Sequence, residues 1–413
     1  MQKDLEILSS FTDPEKPYTR RSFSPLYEKA RQWLWKAMKE AGLSPRLDEA
    51  ANLIGVREGA EAGLPPLIMG SHIDTVEGGG RFDGTAGVVT ALEVARSLFE
   101  DGHVLRHPLW VVDFLAEEPS PYGPSTVGSR AMAGRLRKED LERRNEEGET
   151  LREAIARMGG KPQQLGEPLL PPGAIAAYLE LHIEQGPLLE RAGVPLGIVT
   201  GIVGIDRYRL EVRGEQGHAG TVPMKERKDS LLALAEVLLE VEAFARRKAE
   251  EVPFVATMGW VKVHPNHENV IPGRVEAVLE MRSLAHEALE EGERALRTIL
   301  ERVEERRGVT LRGERTDRLP PTLSDPRLMD LLKEAAEKRG LSFLELPSGA
   351  GHDAMHMAAL GPMAMVFIPC RGGKSHVAEE WADVRHMALG ARVLRDVLLR
   401  LDHEDRRSGP AGP

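Results

Sequence analysis

The chain of 413 residues has a single cysteine, Cys370, so no intrachain disulfide can form and a reducing compartment suits it. Cys370 itself reads as a small buried residue. No apolar stretch approaches the roughly 18 residues needed to cross a membrane. A net basic field is also missing: the formal net charge is −10, which argues against a nucleic-acid partner. The N-terminus, MQKDLEILSSFTDPEK, has acidic residues where a signal peptide would be basic and then apolar, so a cytoplasmic location is expected. Asparagine and glutamine are scarce among many Glu, Arg and Leu, a balance that hints at a thermophilic source. What is present, 41% hydrophobic and 29% charged residues, describes a soluble globular protein. Its length exceeds one typical core and predicts two domains.

Ser24-Pro25 predicts a helix to about Ala41, with Leu26, Ala30, Trp33, Leu34 and Met38 on one face and Gly42 as its stop. Four short apolar runs, Leu67–Met69, Leu109–Leu115, Ala174–Leu181 and Met363–Ile368, suit strands buried on both faces. After the first, Val88, Val89, Leu92, Ala95 and Leu98 fall at helical spacing. Residues 134–167 are strongly charged and predict solvated peripheral helices. After Gly204 the texture changes. Arg207–Val212 alternates apolar and charged residues, followed by a helix at about 229–247, strands near 255–263 and 275–282, a helix at about 286–306 and a strand at 309–312. That β-α-β-β-α-β order is ferredoxin-like and marks an inserted domain at 205–316. It interrupts a discontinuous domain of 1–204 and 317–413, where a helix at 328–338 restores the α/β texture. The tail RRSGPAGP reads as disordered. There is no internal repeat.

Each apolar run leads to polar residues of metal-ligand type. The first enters Gly70–Gly87, GSHIDTVEGGGRFDGTAG, which holds His72, Asp74 and, beyond a glycine-bearing loop, Asp83. The second ends in Ala116-Glu117-Glu118, the third delivers His182 and Glu184, and the fourth leads to Ser375-His376. In a mostly parallel α/β sheet the C-terminal strand ends share one edge, so these residues would converge. Three His, one Glu and one Asp make a mixed N/O set suited to two divalent ions with a shared carboxylate. The adjacent Glu117 is left free to act as a base. A carboxylate two residues from a histidine also suits orientation of a metal-binding ring. Singly, each feature has an ordinary reading, since paired Glu often solvate a strand end and buried His are often only hydrogen-bonded. Five coincidences at strand ends favour the metal reading.

Further blocks complete a pattern: ELHIEQGPLLE at 180–190, GHAGTVPM at 217–224, NVIPG at 269–273, SGAGHDA at 348–354 and GGKSHVAEE at 372–380. With the stretches around His72 and Glu117, they make the chain resemble the M20 family of metal-dependent amidohydrolases and peptidases. The resemblance is to the branch of N-carbamoyl-L-amino-acid hydrolases, β-ureidopropionases and allantoate amidohydrolases, and it spans nearly the whole chain. The ELHIEQGP block separates this branch from the aminopeptidase and succinylase branches, which place an acidic ligand where His182 stands.

The resemblance implies an α/β fold: a catalytic domain with a mixed, mostly parallel sheet flanked by helices, and an inserted ferredoxin-like α+β lid that also dimerises. It implies two divalent metal ions per subunit, zinc or alternatively manganese, cobalt or nickel. His72 and His182 would bind one ion, Glu118 and His376 the other, with Asp83 bridging and Asp74 orienting His72. Glu117 is the implied general base in cleaving the C–N bond of an N-carbamoyl-L-amino acid to amino acid, carbon dioxide and ammonia. His218 is the implied oxyanion stabiliser, which the family supplies from the partner subunit's lid in a homodimer. Asn269 and Arg282 would hold the substrate carboxylate. Gln185 and the Ala350-Gly351 backbone would make further substrate contacts. The expected partner is a small ureido or amide compound with a carboxylate.

Without the resemblance, Arg282 reads as a surface charge and Asn269 as a turn residue, whereas His218, between small residues that allow close approach, reads as functional. His352 and Asp353 either support the site or pack, and His264, His267 and His356 read as unremarkable. One departure bears on substrate. Relatives with carbamoyl or allantoate substrates follow the paired Glu with Gly and, soon after, Arg-Phe, whereas here Pro119-Ser120-Pro121-Tyr122 follows. The basic run Cys370-Arg371-Gly372-Gly373-Lys374 is a candidate compensation. Three further readings therefore stand: allantoate amidohydrolase or β-ureidopropionase, aminoacylase or dipeptidase, and a non-catalytic binding protein.

Overall fold

A computed structural model describes residues 1–403, and the tail RRSGPAGP lies outside them. The described chain forms two compact units. The first comprises Met1–Thr200, Ser324–Leu346 and the chain from His352 onward; the second comprises Gly201–Leu323 and Pro347–Gly351. The change in sequence texture places the inserted segment at 205–316. The structural unit is longer partly because its last long strand runs on to Leu319. It also takes in Pro347–Gly351, so Gly351 belongs to the second unit and His352 to the first.

The core of the first unit is a run of four parallel strands in the spatial order Leu109–Asp113, Leu67–Ser71, Ala177–Ile183 and Met363–Ile368. These are the four apolar runs of the sequence, and their side chains are buried on both faces almost without exception. Each Leu, Ile, Val or Met so buried contributes about 1.5–3 kcal/mol. Antiparallel strands flank them: Leu53–Arg57 beside Leu109–Asp113, then Ser44–Leu47, and Leu196–Ile202 beside Met363–Ile368. The short apolar stretches at 53–57 and 196–202 are strands that periodicity alone did not single out. Helices Pro25–Glu40 and Thr85–Glu100 pack on the sheet; the first starts at Ser24, whose side chain accepts the Tyr27 N–H, with Pro25 at its first position. Helix Val384–His403 closes the described chain.

Residues 134–167 are less helical than their charge pattern predicts. Only Lys138–Leu141 and Leu151–Arg157 form helices, apart from a short 3₁₀ turn at Pro162–Gln164. Between them Asn145 accepts the N–H groups of Glu147 and Glu149, and Gly148 takes φ +88°, so local side-chain bonding makes a turn by engaging N–H groups that a helix would need.

The second unit carries an antiparallel sheet in the order Thr310–Leu319, Gly204–Arg213, Arg274–Ser283, Phe254–His264. Helices Ser230–Ala249 and His286–Arg307 share a hydrophobic core with it, built on Leu210, Val237, Ala277, Leu279, Leu296 and Val303. The β-α-β-β-α-β order is the ferredoxin-like one. Among the described residues no helix is long and apolar enough to cross a membrane.

Candidate metal centre and active site

The parallel strands run outward from Leu67–Ser71 to one side and then the other, so the switch in order falls between Leu67–Ser71 and Ala177–Ile183. His72 leaves the first of these strands at its carboxyl end and His182 sits at the end of the second. Both rings are buried, with centroids 6.0 Å apart. His72 Nδ1 lies 3.0 Å from the Asp74 carbonyl oxygen and His182 Nδ1 lies 3.0 Å from the Ile183 carbonyl oxygen. An Nδ1–H donating to each carbonyl leaves Nε2 of both rings as the lone-pair nitrogen, and that of His182 accepts the Gly84 N–H at 3.2 Å. Asp74 thus holds His72 chiefly by its backbone. Its carboxylate, 3.4 Å from the ring, also accepts the N–H groups of Glu117 and Glu118 at 3.2 Å each.

Asp83 stands between two sets of donors. One carboxylate oxygen is 3.1 Å from His182 Nε2 and the other is 2.9 Å from His376 Nε2, which is itself 3.3 Å from Glu118. The ligand atoms of His72, Asp83 and His182 lie within 4.8 Å of one another, as do those of Asp83, Glu118 and His376. Gly84, at φ +59°, permits this closeness, because a Cβ there would meet His72 Nε2 at 2.2 Å. Ala116, Gln185 and His376 also hold positive φ without being glycine, and such strain gathers where surrounding structure over-determines a site. Glu117 lies 3.5 Å from His72 Nε2, and Gln185 donates to Asp83 at 3.1 Å.

The electrostatics follow from burying acids together. Burial, reinforced by Asp83, pushes Glu118 up to about 7. Burial raises Glu117 well above the carboxylate range; His72 pulls against it, and Glu118, Asp353 and Asp74 add to the rise. His376 rises to about 9 through its bond to Asp83, aided by Glu118. Burial alone would lower His72, yet Glu117, Asp74 and Asp83 lift it well above its ordinary value. Burial would likewise raise Asp83, yet His182 and His376 hold it well below. The buried acids Asp74, Asp83, Glu117, Glu118, Glu180, Asp353 and Glu380 have few buried cations beside them. Buried charge of this kind demands paired cations. Two triads of imidazole and carboxylate that share one Asp fit two divalent ions, which would displace protons from these groups.

Several residues that support the site carry weak signals in sequence. Glu380 accepts the N–H groups of Phe82 and Asp83, and Ser375 donates to its other oxygen. Asp113 accepts the N–H of Ile73 and pairs with buried Arg31. His352 packs edge-on against His182 with centroids 4.5 Å apart, and Asp353 accepts from Ser129. Tyr122 of the proline loop bonds Glu149 and meets Phe23 edge-on, and Arg21 donates to the Pro119 carbonyl. Arg371, the candidate compensation, lies with its guanidinium over the Trp381 ring.

The remaining residues expected from the sequence to serve the site fall in the second unit. His218 and Asn269 come together there: Val270 pairs with His218, and Ala219 donates to the Asn269 carbonyl. His218 and Asn269 are both exposed. Arg282 pairs with Glu280 and donates to the carbonyl of Gly349, two residues before Gly351.

Residues 68–400 match the family described as Peptidase family M20/M25/M40. The chain is 38% identical over 403 residues to the N-carbamoyl-L-amino-acid amidohydrolase of Paenarthrobacter aurescens, covering 97% of each chain. It is 38% identical over 400 residues to the N-carbamoyl-L-amino acid amidohydrolase of Geobacillus stearothermophilus, again covering 97% of each. A hydantoinase/carbamoylase family amidase from Burkholderia multivorans superimposes with a TM-score of 0.89 at 34% identity, covering 98% of this chain and 97% of that one. The chain belongs to the M20 family.

Proposed function

We propose that this hydrolase cleaves the C–N bond of N-carbamoyl-L-amino acids or a related ureido acid, releasing amino acid, carbon dioxide and ammonia. The observation that carries the reading is the pair of triads sharing Asp83, with Glu117 beside them and 3.5 Å from His72. A non-catalytic binding protein would have no use for that base. His72, His182 and Asp83 would hold one divalent ion and Asp83, Glu118 and His376 the other, with zinc the best match to the donor set. When bound, such ions supply Lewis acidity to the ureido carbonyl and make water acidic. Glu117 accepts the proton of the attacking water and returns it to the departing nitrogen. Its burial and acidic neighbours raise its proton affinity, which suits both halves of that transfer.

His218 stabilises the oxyanion, while Asn269, Arg282, Gln185 and the Gly351 backbone hold the substrate and its carboxylate. Arg282 brings a planar pair of donors suited to a carboxylate, and that match supports its role. The second unit serves as lid and dimerisation domain of a homodimer. Support comes from strand Phe254–His264, a sheet edge with exposed Val255, Trp260 and Val261. A cytoplasmic location is supported by the lone buried cysteine.

The test is ammonia release by the metal-loaded protein from N-carbamoyl-L-amino acids, N-carbamoyl-β-alanine and allantoate, beside N-acetyl amino acids and dipeptides. Release from a ureido compound that vanishes in Glu117→Gln supports the proposal. Turnover of only acyl or peptide compounds would replace it with an aminoacylase or dipeptidase whose pocket the Pro119–Tyr122 loop has reshaped.

A further inference from the structure

A second set of ligand-type side chains lies outside the site described above. His103 follows helix Thr85–Glu100, and Asp402 and His403 lie in the last described turn of helix Val384–His403. One ligand atom of each lies within 4.8 Å of the others, and the two imidazoles meet edge-on with centroids 6.5 Å apart. His103 Nε2 is buried and has no hydrogen-bond partner among the described residues. A buried ring nitrogen without a partner has lost water and gained nothing in return, so a ligand there would recover that cost.

The surroundings hold these groups in place. His103 donates its backbone N–H to Leu98 at 2.9 Å, fixing it against the carboxyl end of the helix before it. That helix end carries partial negative charge and favours a cation. Asp402 is buried, and each of its carboxylate oxygens accepts one backbone N–H, from Arg106 at 3.0 Å and His107 at 2.9 Å. Each oxygen keeps a lone pair, and the two amides fix the carboxylate as supporting partners fix metal ligands elsewhere. His403 is exposed and free to change rotamer. A tetrahedral zinc ion with bonds of about 2.0–2.1 Å holds its ligand atoms roughly 3.3 Å apart. Each separation must therefore shorten by about 1.5 Å at most, and movement of the exposed His403 side chain supplies the two that involve His403. The Arg106 guanidinium donates to Glu61 and to the Asp402 carbonyl.

We propose that His103, Asp402 and His403 bind one divalent transition-metal ion of the zinc class, with water completing its shell. Two imidazoles and a carboxylate are the donor set for such an ion. The ion clasps the end of helix Val384–His403 to the segment 101–108, which leads into the strand Leu109–Asp113. This site is independent of the Asp83 centre.

The experiment strips the full-length protein with a chelator, equilibrates it by dialysis against buffered zinc, and counts zinc per chain by mass spectrometry. Wild type should hold one more zinc per chain than His103→Gln/His403→Gln, whatever the Asp83 centre holds. The same difference of one should persist in an Asp83→Asn background. Zinc should also raise the melting temperature of that background, and the rise should disappear with the two His changes. Equal zinc content in wild type and double variant overturns the proposal. If the double variant does not fold, the exposed His403→Gln alone decides: unchanged zinc content rejects the site and loss of one equivalent supports it.

Discussion

Glu380 accepts the backbone N–H of Asp83 at 3.0 Å and that of Phe82 at 2.8 Å, which fixes the loop that presents the shared carboxylate. Gly80, at φ +99°, leaves the room, since a Cβ there would meet the Glu380 carboxylate at 2.4 Å. Glu380→Ala should leave two buried amides without an acceptor and lower metal affinity about 10–100-fold, as loss of supporting partners does. Glu380→Gln keeps one acceptor oxygen and should restore most of that affinity. Metal titration of the three proteins checks this; equal weakening by Gln and Ala would point to the charge of Glu380 in place of its hydrogen bonds.

Glu117 and Asp83 should separate base from ligand. Glu117→Gln is expected to keep both metal ions and lower kcat by about 10²–10⁴-fold, the range for losing a general base. Asp83→Asn weakens both triads at once and should lower metal content before any kinetic comparison is possible. Metal analysis beside single-turnover kinetics tests both. Loss of metal from Glu117→Gln would move Glu117 into the ligand set.

The parallel core was legible because four buried strands leave continuous apolar runs, and each run ends where chemistry begins. His72, Asp83, Glu118, His182 and His376 could be named from that alone because their residue types match a metal donor set. Glu380 sits within a motif visible in sequence, but its work is done by accepting backbone amides, which any acidic residue could do. His356 looked ordinary, yet its Nε2 lies 3.0 Å from Thr126 Oγ1, while the Thr126 N–H donates to the Glu117 carbonyl. Strands 53–57 and 196–202 were missed because five to seven residues with little alternation do not announce a period. The turn at Asn145 was missed because high charge resembles a helix surface until side-chain bonding to the backbone is counted.

That buried histidine should make stability acid-sensitive. Burial, with Arg130 and Arg135 facing it, lowers His356 to about 3. Unfolded, it takes a proton near 6.5; folded, it stays neutral until about 3. Between these values the unfolded state binds more protons, so the contribution present at neutral pH is lost as pH falls through the window. The shift corresponds to roughly 5 kcal/mol at most. His356→Gln, which keeps an N–H for Thr126, should flatten the fall in unfolding free energy between pH 6.5 and 4, measured by denaturant titration at each pH. An unchanged slope would mean that His356 is not held neutral in the folded protein.

The proposed homodimer makes a structural demand on the second unit. Strand Phe254–His264 pairs only with Arg274–Ser283 among the described residues, so its outer edge presents unpaired N–H and C=O groups. It exposes Val255, Trp260 and Val261, and helix Ser230–Ala249 exposes Leu231, Leu232, Leu238 and Leu239. Such an edge invites pairing with the same strand of a second copy, because a two-fold interface sets one patch against itself. Trp260→Lys with Val261→Glu places charge there without touching the core. Sedimentation should then shift from dimer to monomer, with metal content unchanged. If His218 acts from the partner subunit, kcat should fall with the dimer fraction and recover at higher protein concentration. A monomeric wild type, or a monomeric variant with full activity, would assign His218 to its own chain.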